Sequence, residues 1–321
     1  MLQKSGPAFC ILLLLSGIGI AFLSYLLPFC PPELCLGTTY AAYALEQGHS
    51  SYPAFVYHTL KTASVQKKET TDPLPQKAPV FTTTNTPEVT DLNISDVSFR
   101  NETEYPLDFI TEAYAPPAKK TEKPQILIVH THATESYAGT DNRSTDTELN
   151  MVSIGNVLAE ALTKHGFAVI HDKTLHDYPN YNGSYANASK TISSYLKNYP
   201  SIEIVLDLHR DGITLQDGTK IPLSVTANNQ TFAKMMLVVG TDTNLEHPEW
   251  RGNANFATGI HAAAEAICPG IMRPVCIRKE RFNQQLSPCS VIIEIGTNGN
   301  TREEAERSAL ILANAFSVYI K

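Results

Sequence analysis

Through the last two thirds of the chain, short apolar runs alternate with longer stretches whose apolar positions recur every three or four residues. The short runs, 126–130, 167–171, 203–208, 235–239 and 290–295, are mostly rich in β-branched residues and predict strands. The longer stretches, about 149–165, 184–197, 254–267 and 302–319, predict helices. In the first of these, Val152, Val157, Leu158, Ala161 and Leu162 form the apolar stripe, and His165-Gly166 is the stop signal. The last opens with Thr301 and Glu304 in the spacing of a capping box. Regular alternation of this kind implies an α/β fold, a mostly parallel sheet covered by helices on both faces. No internal repeat is visible.

The pattern is different before Pro124. From Ala8 to Leu27 twenty residues carry no charge, which is the length a helix needs to cross a bilayer. The small-x-small pattern Ala42-Tyr43-Ala44 lies well beyond that run, and the run exceeds the roughly 7–15 apolar residues of a signal peptide. Residues 1–30 are therefore expected to be a cytoplasmic tip and an uncleaved transmembrane anchor. Lys4 precedes the span and no Lys or Arg follows it before Lys61, so the chain beyond is expected to be exported, in a single-pass membrane protein. Residues 31–123 read as a juxtamembrane segment and a Thr/Pro-rich stalk, including Asp72-Pro73-Leu74-Pro75 and Thr82-Thr83-Thr84, too polar to offset the entropy of folding. Within it Tyr105-Pro106-Leu107-Asp108-Phe109-Ile110 is apolar enough to dock on the domain expected at 124–321.

Charge and cysteine content narrow the function. With 25 basic against 32 acidic residues the formal charge is −7, which is no footprint for a nucleic acid. The six cysteines are Cys10, Cys30, Cys35, Cys268, Cys276 and Cys289. An exported location permits disulfides, but the spacing of the last three fits no zinc cluster. They read as buried thiols or one supporting bridge.

Chemistry concentrates where the apolar runs end. In open α/β sheets ligands bind at the carboxyl ends of the strands. His130-Thr131-His132 follows the first run, Asp207-Leu208-His209-Arg210 closes the third and Ile293-Glu294-Ile295-Gly296 the fifth. Thr147 can cap the next helix, which places Glu148 in its first turn. Two imidazoles, one carboxylate and a spare carboxylate make up a zinc hydrolase site. The assignment is His132, Glu148 and His209 as metal ligands and Glu294 as the general acid/base. Residues two apart on a strand share a face, so His130 could also reach the metal or bind substrate. His132 is preferred as nearer the strand end, and Glu135 is a further carboxylate in the same mouth. A serine nucleophile, Ser136 or Ser153, lacks the Gly-x-Ser-x-Gly elbow.

Taken together, His130-Thr131-His132-Ala133-Thr134-Glu135-Ser136-Tyr137, Leu175-His176-Asp177-Tyr178 leading to Tyr185 and Ser189, Leu206-Asp207-Leu208-His209-Arg210-Asp211, Arg281-Phe282-Asn283-Gln284-Gln285-Leu286-Ser287-Pro288 and Ile293-Glu294-Ile295-Gly296 with Asn300 are specific. Over about 124–320 they resemble the stage II sporulation protein P family of membrane-anchored cell-wall hydrolases. The resemblance implies a zinc-dependent N-acetylmuramoyl-L-alanine amidase, cutting between the muramyl lactyl group and the first alanine of the stem peptide. It also implies endopeptidase action on cross-links, and work in engulfment beside stage II sporulation proteins D and M. The wider amidase superfamily carries its site on a strand-end His, a helix-start Glu, a later His and a final Glu, which His132, Glu148, His209 and Glu294 match. It usually reads Asp-Pro-Gly-His-Gly-Gly where this chain reads Val129-His130-Thr131-His132-Ala133-Thr134, so His130 and His132 both stay candidates. Arg210 is expected either to bind a stem-peptide carboxylate or to form a structural ion pair. His176 and Asp177, with Tyr181 and Tyr185, line the cleft or fix a loop. The alternative function is a non-catalytic peptidoglycan-binding module of the same fold, which would have no need of Glu294.

Overall fold

Every strand and helix predicted beyond Pro124 forms in the computed structural model, whose described residues are 92–110 and 122–320. The expected anchor at 8–27, the first three cysteines and most of the expected stalk lie outside those residues. The strands are β1 (Phe99–Asn101), β2 (Ile126–Val129), β3 (Val169–His171), β4 (Ile204–Asp211), β5 (Ser224–Ala227), β6 (Gln230–Ala233), β7 (Met235–Gly240), β8 (Val275–Arg278) and β9 (Cys289–Thr297). The helices are α1 (Met151–Lys164), α2 (Ser184–Asn198), α3 (Trp250–Ile267) and α4 (Arg302–Tyr319). Among the described residues no helix is long and apolar enough to cross a membrane.

Seven strands make one sheet in the order β1-β8-β7-β9-β4-β2-β3, and β5 and β6 form a separate hairpin. All neighbours in the sheet run parallel except β7 and β9. The carboxyl ends of β9, β4, β2 and β3 therefore share one edge. Strand alternation sorts the apolar residues between the two faces. Ile126, Ile128, Leu206, Leu208, Val291 and Ile293 share a core with α1, α3 and α4. Leu127, Val129 and Val205 pack with Ile192 of α2 on the other face. The mixed α/β architecture is thus a mostly parallel sheet with helices on both sides.

Two helix starts show how local chemistry sets boundaries. Thr301 caps α4 by accepting from Glu304 N, and the Glu304 side chain accepts from Thr301 N, completing the capping box. At α1 the cap is Asn150, whose Oδ1 accepts from Val152 N at 2.9 Å, and not Thr147. Asparagine is the stronger cap of the two.

The described residues other than 214–219 belong to one compact unit. Residues 214–219 fall in a second unit, and within them Leu215 N donates to Thr219 O at 2.8 Å. In the larger unit β1 pairs with β8, and the segment behind it docks as its apolar residues suggest. Tyr105 and Phe109 lie 5.2 and 5.1 Å from the fully buried Trp250, ring centre to ring centre. Trp250→Ala is expected to cost about 3–5 kcal/mol, since it removes a large core side chain and the seat of this segment together. Urea denaturation of the variant checks this, and a loss below about 1 kcal/mol would contradict the packing account. Cys268, Cys276 and Cys289 are free and buried, and burial pushes the Cys276 and Cys289 thiols up to about 12.

Candidate active site

Parallel register carries the first part of the site. His209 of β4 pairs with Glu294 of β9, and Asp207 pairs with Val129 of β2 and Ile292 of β9. Leu206 and Leu208 point into the α1/α3/α4 core, so Asp207 and His209 emerge on the opposite face, beside Glu294. Beyond Glu294 the chain bends at Gly296, whose φ of +75° lies in the left-handed region.

The second part comes from the loop after β2. The strand stops at Val129, so the two-residue alternation that would align His130 with His132 has ended. His130 is turned toward α1, its Nε2 2.8 Å from His171 Nε2. A Cβ on Gly155 of α1 would sit 2.7 Å from His130 Nε2 and 2.4 Å from His171 Nε2, so only glycine fits above the pair. His130 thus meets His171 and none of the rings that meet His132. His132 packs on other partners: its ring stacks on Tyr181 at 4.5 Å and meets His209 edge-on at 5.2 Å and Tyr185 at 5.5 Å.

Buried carboxylates hold the loop in that course. Asp207 accepts from Thr131 N at 2.7 Å and from Thr131 Oγ1 at 2.6 Å. Asp177 accepts from Thr134 Oγ1 at 2.6 Å and from Arg143 Nη1 at 2.8 Å. His176 Nδ1 lies 2.8 Å from the His130 carbonyl oxygen. His176 and Asp177 therefore fix the loop, and Asp177 also stands 4.0 Å from His132 Nδ1.

The carboxylate brought to the histidines is Glu135. Its Oε2 lies 3.6 Å from His209 Nδ1 and accepts from Arg210 N at 3.1 Å. Glu148 is exposed and precedes the Asn150 cap, outside the first turn of α1, and no described contact ties its carboxylate to the cluster. Arg210 is turned toward the loop after β2. It is 4 % exposed, and its guanidinium donates to the Ser136 and Asn142 carbonyls at 3.0 and 2.8 Å, binding the loop to β4. Asp207 was missed by sequence reasoning. The available signal was Asp-x-His on a strand, which puts the carboxylate on the same face as the imidazole; His209 Nε2 is 3.1 Å from Asp207 Oδ1.

These surroundings separate the protonation states. Burial, then the neighbouring His209, lowers His132 to about 4. Burial also opposes a charge on His209, but Asp207 and then Glu135 and Glu294 outweigh it and raise it to about 10. Burial, with Asp211 and Glu135 adding repulsion against His209, raises Glu294 to about 8. Without a metal, the centre therefore holds a carboxylic acid that is protonated at neutral pH beside an imidazolium, whose proton a metal would displace.

Other histidines set the acid response of the metal-free fold. Burial foremost holds His130 at about 3 and His171 and His247 at about 4, alongside His132 at about 4. The unfolded chain takes up these protons below pH ~6.5 and the folded chain only near 3–4, so acidification across that window favours unfolding. Glu294 works the other way between about 8 and ~4.5, one group against four. The melting temperature is expected to fall from pH 6.5 to pH 4; a scanning-calorimetry series that stays flat would contradict this.

Among the described residues no three His, Cys, Asp or Glu side chains stand together in ligating geometry. The centre nonetheless suits a cation. His132 Nδ1 and Glu294 Oε2 are buried and have no hydrogen-bond partner. Two orphaned polar atoms in one cluster are costly without an occupant. Imidazole and carboxylate donors are those zinc takes.

Comparison with known proteins places the chain. The family profile for stage II sporulation protein P matches residues 35–317. The stage II sporulation protein P of Bacillus subtilis (strain 168) is 26 % identical over 220 residues, 63 % of this chain. The match spans 53 % of that relative, about half its length. Among solved structures, the CwlD amidase from Clostridioides difficile in complex with the GerS lipoprotein is 14 % identical, with a TM-score of 0.39 over 61 % of this chain and 95 % of that one. The N-acetylmuramoyl-L-alanine amidase AmiC2 of Nostoc punctiforme is 15 % identical, with a TM-score of 0.36 over 61 % of this chain and 94 % of that one. With the family profile matched along most of its length, this chain belongs to the stage II sporulation protein P family.

Proposed function

We propose that this protein is a zinc-dependent peptidoglycan hydrolase acting in sporulation, which cleaves the amide between N-acetylmuramic acid and the L-alanine of the stem peptide. The observation that carries the reading is the convergence of His132, His209, Glu135 and Glu294 at the carboxyl edge of the sheet, with His132 Nδ1 and Glu294 Oε2 orphaned. His132 and His209 would hold the metal with Glu135, whose carboxylate lies 3.6 Å from His209 Nδ1, in place of Glu148. Bound there, zinc would supply the Lewis acidity that polarises an amide carbonyl and acidifies water.

The chain's own groups do the rest. Asp207 orients the His209 ring, and Thr131 fixes Asp207 in turn. In its ionised form Glu294 can take a proton from the attacking water, and in its protonated form, favoured below about 8, return one to the departing amine. Tyr181 and Tyr185 wall the centre beside His132, where they shield the reacting groups from solvent. The apolar stretch at 8–27 supports single-pass anchoring in the cell membrane with the catalytic unit exported, in reach of the wall and of stage II sporulation proteins D and M.

Zinc binding tests this reading. The full chain is expected to take up one zinc per chain, and His209→Ala to lose most of that affinity. Chelation should stop release of fragments from dye-labelled peptidoglycan, and zinc should restore it. Release that persists in the metal-stripped chain would refute the reading. Wall binding without release in the zinc-loaded chain would favour the non-catalytic binding module.

A further inference from the structure

One arginine stands at the mouth of the centre without a part in it. Arg143 Nη1 donates to Asp177 Oδ2 at 2.8 Å and to Thr134 Oγ1 at 3.2 Å. Its guanidinium carbon lies 4.3 Å from the centre of the Tyr181 ring, which is stacked on His132 at an interplanar angle of 15°. The Asp177 side chain is fully buried and holds the guanidinium from behind, while 38 % of the arginine side chain remains exposed. Tyr181 and Tyr178 are 42 % and 59 % exposed, so this corner is open to a ligand.

Neighbouring charges make the position distinctive. Arg210 is buried and donates to loop carbonyls, and Arg273 Nη1 is paired with Asp211 at 2.7 Å. Glu135, Asp207 and Glu294 otherwise line the centre. A peptide carboxylate entering this acidic mouth meets repulsion from the centre and an exposed, pre-oriented cation at Arg143. One aromatic ring separates that cation from His132. An extended peptide advances about 3.3 Å per residue, so two or three residues bridge the gap.

We propose that Arg143, stacked on Tyr181, is a specificity residue that receives a free carboxylate of the stem peptide while the scissile amide lies over His132 and His209. The substrate class is then a short peptide with an unamidated carboxylate two or three residues from the cleaved bond. This rests on the hydrolase reading of the same centre, and binding and turnover separate the two claims.

The test titrates synthetic muramyl peptides into the full chain by calorimetry. One peptide carries every carboxylate free; in the others the second-residue α-carboxylate, the third-residue carboxylate or the terminal carboxylate is converted in turn to a carboxamide. One carboxamide is expected to weaken binding to the wild type by about 10- to 100-fold, the value of one charge-assisted hydrogen bond. Which peptide is affected identifies the carboxylate. Arg143→Gln should bring acid and amide to the same affinity, and Arg143→Lys should keep part of the difference. Equal binding of all the peptides by the wild type, which needs no variant to fold, would overturn the proposal. So would an acid-to-amide ratio that survives Arg143→Gln, or a uniform loss for every peptide. Turnover of the all-acid peptide is read in the same samples. Discriminating binding without cleavage would refute the hydrolase reading and leave the carboxylate site standing.

Discussion

Glu294→Gln is expected to lower turnover on peptidoglycan by about 10²- to 10⁴-fold, the range for loss of a general acid/base. Glutamine keeps the shape of the side chain but can neither accept nor deliver the proton. Glu294 pairs with His209 across the β4–β9 ladder, has an enclosed Oε2 without a partner, and is raised to about 8 by burial first and by Asp211 and Glu135 after it. Glu294 is already neutral in the metal-free fold at pH 7, so the neutral amide is expected to fold about as stably as the wild type. Its zinc content should be unchanged, because the metal is assigned to His132, His209 and Glu135. Fragment release and zinc stoichiometry on one sample check both halves. Turnover within a few-fold of wild type would remove Glu294 from the mechanism, and loss of zinc would move it into the ligand set.

Asp207→Ala is expected to have the largest combined effect on stability and site. Asp207 is 4 % exposed, accepts from the amide and hydroxyl of Thr131, and faces His209 Nε2 at 3.1 Å. The alanine variant leaves an imidazolium buried without its partner and a buried amide without an acceptor. Breaking a buried pair from one side costs about 3–5 kcal/mol. The loop after β2 also loses a tether, so His132 and His209 should both become less well placed and zinc affinity should drop by about 10- to 100-fold. Asp207→Asn keeps an acceptor for Thr131 and should recover part of the stability but not the charge on His209. Guanidinium denaturation and a zinc competition assay measure the two consequences separately. A loss under 1 kcal/mol with unaltered zinc affinity would show that Asp207 is incidental.

The sheet and helices were legible because their signals are long and local. Four helical stretches and five strands follow from apolar spacing, and the Thr301–Glu304 capping box is where its spacing puts it. The missed strands are short or polar: β1 is Phe99-Arg100-Asn101, and β8 is four residues after a proline. Such segments become strands through tertiary pairing, which no local pattern announces. The direction of β7 against β9 is likewise a property of pairing.

The site was legible where a residue lies within a strand and unclear one or two residues past its end. His209 and Glu294 follow from position in β4 and β9. The β2 loop depends on Thr131, Thr134, His176 and Asp177 meeting across the fold, and these bonds turn His130 toward His171 and His132 toward His209. Glu135 comes into place through the same turn, tied to the Arg210 amide. Glu148 was misplaced because two good capping residues, Thr147 and Asn150, stand close together, and a shift of the cap by three residues moves a side chain by most of a helical turn.

The most direct test of the central claim is the identity of the bond that is cut. The full zinc-loaded chain is incubated with purified peptidoglycan and the soluble products are identified by mass spectrometry. Free stem peptides that begin with L-alanine, absent after chelation and with His209→Ala, are the expected result. Products in which the muramyl–alanine amide is intact, whether sugar fragments or peptides cut only at their cross-links, would contradict it.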